Sequence, residues 1–226
     1  MIIAIDGPSG AGKSTLGKML AKRLDLLYLD TGAMYRAVAL AVMRANVPIR
    51  DIDRITYIAE TADIDLVGEP DAMKVMLDGE DVSVEIRTLE VARSASEVST
   101  IPAVRRVMVE HQRSIGEAAP KGCVLEGRDI GSVVFPNADI KFFLTAKPEA
   151  RARRRYTEDQ MKGRISTYEQ TLAEINERDE RDVSREDSPL TIAENAIVID
   201  TSELDLAEAF EAMLAKIRET GVGVSG

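Results

Sequence analysis

Apolar and polar residues follow one another along the 226-residue chain in an order that predicts strands alternating with helices. Residues 2–6 form a short β-branched apolar run that ends at a Gly-Pro pair, as expected of a buried parallel strand. Residues 14–25 carry apolar side chains close to helical spacing, and residues 26–30 predict a second strand. Thr31 is then expected to cap a helix that continues to about Asn46. This order predicts right-handed crossovers and a parallel sheet.

The alternation changes in the middle of the chain. Residues 63–67 and 73–77 are strand-like runs separated by a Gly-Glu-Pro-Asp segment, and an Asp-Gly turn signal follows them. Helical patterns come next, at residues 89–99 and 103–118. We interpret residues 62–100 as a small inserted domain of antiparallel strands and helix.

The α/β pattern then returns, with strands predicted at residues 122–125, 140–144 and 196–200. The charged stretch at residues 148–185 is predicted to be helical, and a final amphipathic helix has its apolar stripe at Leu206, Phe210, Met213, Leu214 and Ile217. Residues 221–226 are expected to be a frayed tail. The predicted fold class is therefore α/β, with a core at residues 1–61 and 101–226.

Composition excludes several classes of function. Lys and Arg number 29 against 39 Asp and Glu, a formal net charge of −10, so nucleic-acid polymers and anionic membranes would repel the protein. No apolar run approaches the roughly 18 residues of a membrane span. The single cysteine, Cys123, excludes an internal disulfide framework, and His111 is the only histidine. The N-terminus lacks the basic region of a signal peptide, which predicts a cytoplasmic protein.

The strongest motif lies between the first strand and the first helix. Residues 7–14 read Gly-Pro-Ser-Gly-Ala-Gly-Lys-Ser and match the phosphate-binding pattern G-x-x-x-x-G-K-[ST] in full. Its glycines allow consecutive backbone N–H groups to turn towards phosphate oxygens. Lys13 is placed to meet the β- and γ-phosphates and Ser14 to bind Mg²⁺, while the helix N-terminus adds partial positive charge. The sequence therefore predicts a P-loop that binds a nucleoside triphosphate.

The rest of the chain narrows the class of P-loop protein. No Asn is followed by Lys, as a guanine-specific GTP switch would require, and the apolar strand ending at Asp30 leads into a signature that ATPase motors lack. A small-molecule kinase needs arginines on several elements to clamp two anionic substrates. Arg36 and Arg128 follow predicted strand ends, where the ligand crevice of a parallel sheet lies, and more arginines are present in residues 151–185.

Four segments carry a resemblance to a known family: residues 5–14, residues 29–36 (Leu-Asp-Thr-Gly-Ala-Met-Tyr-Arg), residues 127–136 (Gly-Arg-Asp-Ile-Gly-Ser-Val-Val-Phe-Pro) and residues 177–182 (Glu-Arg-Asp-Glu-Arg-Asp). The sequence resembles the bacterial cytidylate kinases of the nucleoside monophosphate kinase family. The resemblance implies a P-loop NTPase fold with an enlarged monophosphate-binding insertion and a short lid, at about residues 151–185.

The resemblance also implies roles for individual residues. The ATP-binding set is Gly7, Pro8, Ser9, Gly10, Ala11, Gly12, Lys13, Ser14, Thr15 and Arg154. On the acceptor side, Arg36 and Arg128 match arginines that bind the substrate phosphate, with the Thr31 hydroxyl beside them. The remaining positions match base-side contacts at Ser96, Arg105, Asp129 and Arg185, a ribose-binding carboxylate at Asp182, and a phosphate-side arginine at Arg181. Lys13, Arg128 and Arg181 are the predicted catalytic residues.

The implied activity is transfer of the γ-phosphate of ATP to CMP, and also to dCMP, with Mg²⁺ as cofactor and the nucleoside diphosphates and ADP as products. A monomer is expected. Cytosine offers two acceptors and an amino donor, which Arg, Ser and a carboxylate can satisfy. Two alternatives stay open at this point: a kinase for another small metabolite, and a regulatory nucleotide-binding protein that hydrolyses ATP slowly.

Overall fold

The computed structural model describes residues 1–161 and 163–221. These residues form the strands β1 (Ile2–Asp6), β2 (Leu27–Asp30), β3 (Ile64–Val67), β4 (Lys74–Leu77), β5 (Glu80–Asp81), β6 (Cys123–Gly127), β7 (Ile140–Thr145) and β8 (Ile197–Asp200). The helices are α1 (Lys13–Leu24), α2 (Thr31–Arg44), α3 (Ile52–Thr61), α4 (Leu89–Val98), α5 (Pro102–Ala118), α6 (Pro148–Met161), α7 (Tyr168–Ser184) and α8 (Leu206–Glu219). A single π-helical turn, Ile130–Val134, follows β6.

The main sheet has the strand order β2-β6-β1-β7-β8 in the described part of the chain, and every pairing in it is parallel. β1 lies at its centre, where Asp6 is in register with Gly127 of β6 and with Phe143 of β7. The carboxyl ends of β1, β2 and β6 therefore meet at one edge. The predicted α/β fold class with a parallel sheet is confirmed.

The sheet is covered on both faces because successive side chains of β1 point to opposite sides. Ile3 and Ile5 belong to a core with α1 and α8, whereas Ala4 packs on the other side with Leu125 and Val134. All three β1 residues are fully buried. Burial on both faces explains the continuous apolar pattern of this strand.

A second, antiparallel sheet has the order β3-β4-β5 and lies within residues 62–100. Its strands β4 and β5 are joined at Asp78-Gly79, where both residues adopt positive φ (51° and 82°), as a tight hairpin requires. Ile64 and Leu77 pack in one core with Val38 of α2 and Met108 of α5. This sheet matches the expected antiparallel insertion, and the domain boundaries at 62 and 100 stay a prediction.

Several local predictions differ from the structure. Asp30, not Thr31, caps α2, since its Oδ1 accepts from the Ala33 N–H at 2.9 Å. The helical stretch at 148–185 is two helices, α6 and α7. Helix α3 was not predicted, although Asp51 accepts from the Arg54 N–H as a cap and Ile55 and Ala59 are buried at helical spacing. The tail prediction falls mainly on residues 222–226, which lie outside the described residues.

Candidate active site

A cavity of about 540 Å³ opens at the carboxyl ends of β1, β2 and β6. Its wall combines the P-loop, the first turn of α2, the helices α4 and α5, the segment after β6, and the lid helices α6 and α7. The predicted site residues that line it are Ser9, Gly10, Gly12, Lys13, Ser14, Thr15, Thr31, Arg36, Ser96, Arg105, Arg128, Asp129, Arg154, Asp182 and Arg185. Folding therefore brings together residues that lie up to 176 positions apart in the chain, from Ser9 to Arg185.

The P-loop has the backbone that its glycines predict. A Cβ on Gly7 would lie 2.0 Å from the Leu144 carbonyl oxygen, so only glycine fits there. Lys13 begins α1 and its Nζ donates to the Pro8 carbonyl at 2.8 Å. Burial, together with the positive charge of Arg128, lowers the pKa of Lys13 to about 7. Gly7, Pro8 and Ala11 support the loop from behind and are not part of the cavity wall.

A buried carboxylate, absent from the predicted set, faces the P-loop from β6. Glu126 is 4% exposed, and its side chain is hydrogen-bonded to Ser14 and accepts from the Tyr28 hydroxyl. Burial and the negative charge of Asp30 raise the pKa of Glu126 above its ordinary value. The signal in the sequence was the acidic residue at the end of a buried strand, directly before Gly127 and Arg128.

Arginines line the part of the cavity formed by α2, the segment after β6 and α7. Arg36 is bonded to Asp30 at 3.1 Å, and Arg128 Nε donates to Asp182 Oδ2 at 2.7 Å. Burial acts to raise the pKa of Asp182, but Arg128 and its neighbouring arginines hold it below the ordinary value. Among the described residues, the Nε atoms of Arg36, Arg105, Arg178 and Arg181 are buried without a hydrogen-bond partner, and the first three of these arginines line the cavity. Buried donors without partners are rare, and here they mark a place for an anion.

Two arginines of α7, Arg178 and the predicted Arg181, have different positions relative to the cavity. Arg181 is not in the cavity wall, since it donates to Ser96 Oγ at 2.8 Å and to Glu177 Oε1 at 3.0 Å. Arg178, one turn earlier, lines the cavity, with Nη1 3.5 Å from Ser9 Oγ. Burial and the nearby charge of Arg128 lower the pKa of Arg178 to about 9.

A buried ion pair closes the deep end of the cavity. Arg105 is 2% exposed and donates to the Asp129 carboxylate and, at 3.1 Å, to the Ser99 carbonyl. The Arg105 guanidinium also lies 5.5 Å from the ring of Tyr35, a lining residue that was not predicted. The Thr31 hydroxyl donates to the Glu126 carbonyl at 2.6 Å, so in the free protein it supports the wall.

The lid helices contribute both lining and anchoring arginines. Arg154, predicted to contact ATP, lines the cavity and donates to Thr201. Arg151 is 2% exposed and instead anchors the lid, since Nη1 donates to the Ser9 carbonyl at 3.0 Å and Nη2 to Asp179 Oδ2 at 2.5 Å. The other lining residues that were not predicted are Asp30, Gly32, Ala92, Ala95, Ser99, Gly127, Arg155, Glu158, Asp159 and Arg164.

This arrangement of P-loop, arginines and lid agrees with the comparison to known families. The family model for cytidylate kinase matches residues 3–219. The chain belongs to the cytidylate kinase family. It is therefore an enzyme of the nucleoside monophosphate kinase type.

Individual cytidylate kinases match this chain over nearly its whole length. The cytidylate kinase of Caldanaerobacter subterraneus subsp. tengcongensis is 52% identical over 221 residues, which is 98% of this chain and 96% of the relative. That of Geobacter sp. (strain M21) is 47% identical over 219 residues, covering 97% and 93%. A crystal structure of an uncharacterized protein from Eubacterium ventriosum ATCC 27560 shares the fold, with a TM-score of 0.54, 13% identity, and coverage of 96% and 98%.

Membership of this kinase family implies small-molecule nucleotides as substrates. Within residues 1–161 and 163–221, no helix is long and apolar enough to cross a membrane.

Proposed function

We propose that this enzyme transfers the γ-phosphate of ATP to CMP and dCMP, giving ADP and CDP or dCDP. The observation that carries the proposal is the pairing of a complete P-loop with a wall of half-buried arginines that ends at the buried Arg105–Asp129 ion pair. The cytidylate kinases to which the chain is similar support the choice of substrate.

The donor half is built by the P-loop. Backbone N–H groups of residues 9–14 and Lys13 bind the phosphates of ATP, and the negative charge of the phosphates restores the charge that burial disfavours on Lys13. Arg154 and Arg155 line the cavity from the lid and meet the ATP phosphates when it closes over both substrates. We place this lid at about residues 151–185.

The residues beside the P-loop fit Mg²⁺. Ser14 and Glu126 supply hard oxygen ligands at the phosphate end of the cavity, which suit this ion. In the described part of the chain, no group of three or more His, Cys, Asp or Glu side chains could hold a metal by itself, which suits an ion that arrives with a nucleotide. Ser14 and Glu126 are the residues that would hold Mg²⁺. When bound, the ion neutralises charge on the phosphates.

The acceptor half holds a monophosphate. Arg36, Arg128 and Arg178 converge from α2, the segment after β6 and α7, and the unpartnered Nε atoms of Arg36 and Arg178 are available to phosphate oxygens. No general base is needed, because the attacking phosphate oxygen is already anionic. Catalysis then comes from alignment and from charge neutralisation on the transferring group.

The base-binding end selects cytosine. Arg105 and Ser96 provide donors for the cytosine carbonyl and ring nitrogen, and the Asp129 carboxylate accepts from the amino group. Uracil has a carbonyl in place of that amino group, so it would face Asp129 with like partial charge. Asp182 and Arg185 lie where the ribose and the near edge of the base would be. We further propose that the enzyme acts as a monomer in the cytoplasm.

The deciding experiment is ADP formation with CMP, dCMP, UMP, AMP and GMP in parallel. A preference for CMP and dCMP is expected, whereas a preference for AMP or GMP would overturn the assignment. If the phosphate were transferred to none of them, the alternative function, a regulatory nucleotide-binding protein that hydrolyses ATP slowly, would be favoured. Arg128→Ala should lower kcat/KM for CMP about tenfold or more, since at least one charge-assisted contact is lost. Arg153→Ala, which removes an exposed arginine of α6, is the control and should act like the wild type.

A further inference from the structure

Asp6 joins the P-loop strand to the acceptor side of the cavity. It is the last residue of β1, directly before Gly7, and it is 3% exposed. Its Oδ1 accepts from the Ile130 N–H at 2.8 Å, and its Oδ2 accepts from the Gly131 N–H at 2.7 Å. A Cβ on Gly131 would lie 3.3 Å from Asp6 Oδ2, so the glycine allows this close approach.

These two N–H groups open the π-helical turn Ile130–Val134. The first N–H groups of a helical turn have no partner inside it and need an external acceptor. The usual acceptor is the side chain of the residue directly before the turn. That residue is Asp129, but it makes no cap hydrogen bond, and its carboxylate pairs with Arg105. Asp6 supplies the cap from a distant strand and leaves Asp129 free for Arg105.

The other end of the turn is held as well. Arg113 of α5 donates from Nε to the Val134 carbonyl at 2.8 Å and from Nη2 to the Val133 carbonyl at 2.7 Å. Arg128 and Asp129, which lead into the turn, are therefore connected to a segment fixed at both ends. The Asp6 end is the one that lies next to the P-loop.

We propose that Asp6 is a positioning residue for CMP binding: it caps the turn after β6, sets Arg128 and Asp129 in place relative to the P-loop, and leaves the Asp129 carboxylate to Arg105. The inference rests on the proposed function. It predicts an effect on the acceptor nucleotide, whereas a role confined to the P-loop would weaken ATP binding, and a role in folding alone would change stability without favouring either ligand.

The ionised carboxylate is the form that accepts from both N–H groups. Burial raises the pKa of Asp6 to about 6, against the opposing effect of its two backbone hydrogen bonds. Of the charged side chains that face it, Asp129 acts in the same direction as burial and Lys13 in the opposite one, and the positive Arg128 also lies within electrostatic reach. Protonation places a hydrogen on one carboxylate oxygen of Asp6, and that oxygen is then a poorer hydrogen-bond acceptor for the Ile130 or Gly131 N–H.

Asp6→Asn tests the proposal, because the amide keeps the size of the side chain but turns one acceptor into a donor. Its matched control is Asp139→Asn, which makes the same change at an exposed carboxylate whose Oδ2 accepts from the Ile2 N–H at 2.6 Å, at the far end of β1. Calorimetry would measure the Kd for CMP and for a non-hydrolysable ATP analogue with Mg²⁺. We expect Asp6→Asn to weaken CMP binding about tenfold or more and to leave the ATP analogue within about threefold. Asp139→Asn should change neither.

A second readout follows the pH dependence. The ratio of kcat/KM for CMP between the wild type and Asp6→Asn should fall towards one as the pH drops from 8 to 5, because the wild type then loses the same acceptor. The ionisation of CMP itself cancels in this ratio. Equal weakening of CMP and the ATP analogue, no weakening of either, or a ratio that does not change with pH would each overturn the proposal.

If Asp6→Asn does not fold, Arg113→Gln releases the opposite end of the turn and should also weaken CMP binding selectively. Unchanged CMP binding in a folded Arg113→Gln variant would then contradict the proposal. The proposed function is judged separately on the wild type. If wild-type enzyme fails to phosphorylate CMP, the proposed function is wrong, whereas if it does so and Asp6→Asn binds CMP normally, only this inference is wrong.

Discussion

Arg178 and Arg181 lie one turn apart on α7, and the structure gives them different environments. Among the described residues, the Nε atoms of both arginines are buried without a hydrogen-bond partner, but Arg178 lines the cavity. Arg181 lies outside the cavity wall and is bonded to Ser96 and Glu177. Replacing each by alanine therefore removes a guanidinium from the proposed phosphate site in the case of Arg178, and from outside the cavity wall in the case of Arg181.

The expected magnitudes follow from these contacts. The recorded hydrogen bond of Arg178 is a long one, 3.5 Å to Ser9 Oγ, so its removal should cost little stability. Hydrogen bonds to a charged group contribute about 1.5–3 kcal/mol each, so losing one predicts a fall in kcat/KM of roughly 10- to 150-fold, and losing two predicts a larger fall. The Arg181–Glu177 pair is an i,i+4 pair at the surface, worth about 0.3–0.5 kcal/mol. Arg181→Ala also loses the contact with Ser96, and it should lower kcat/KM for CMP less than about tenfold.

Steady-state kinetics with CMP varied at saturating ATP would measure both variants, with urea unfolding as the control for stability. Arg178→Lys adds a further test, because lysine restores the charge without the planar, bidentate geometry and should recover only part of the activity. Equal losses in the two alanine variants, or a larger loss for Arg181→Ala, would refute the assignment of Arg178 to the phosphate.

Three other substitutions or measurements test the surrounding structure. Asp129→Asn leaves the Arg105 guanidinium buried without its partner charge and should lower the free energy of unfolding by about 3–5 kcal/mol, as measured with urea. Tyr28→Phe removes the hydroxyl donor to Glu126 and should lower kcat about fivefold and raise the Mg²⁺ concentration needed for half-maximal activity; an unchanged Mg²⁺ titration would contradict it. Burial raises the pKa of the Cys123 thiol to about 11, so less thiolate is present at any pH below that than in the unfolded chain, and a thiol reagent at pH 8 should label Cys123 only after unfolding.

Local sequence patterns were sufficient to predict most of the strands and helices and the P-loop. The P-loop could be recognised because its glycines, lysine and serine are contiguous, and the backbone of residues 7–14 requires those residue types in that order. The helix at Ile52–Thr61 was missed because it buries only two residues, Ile55 and, in the next turn, Ala59. A capping aspartate, Asp51, was the available signal.

The roles on α7 could not be read from the sequence in the same way. Residues 177–182 alternate acidic and basic side chains, so spacing alone does not distinguish an arginine that faces the cavity from one that faces its rim. The packing of α7 against α6 and the P-loop, through Arg151, Ser9 and Asp179, decides the rotation of the helix and hence the position of Arg178.

The sequence by itself determined the parallel α/β core, the P-loop and the family, because each depends on residues that are close together in the chain. Only the tertiary structure decided which long-range partners the buried charges have. Asp6 with the turn after β6, Glu126 with Tyr28, and Arg105 with Asp129 join residues 24 to 125 positions apart. A buried charge is stable only where folding brings it a partner, and that partner is chosen by how strands and helices pack.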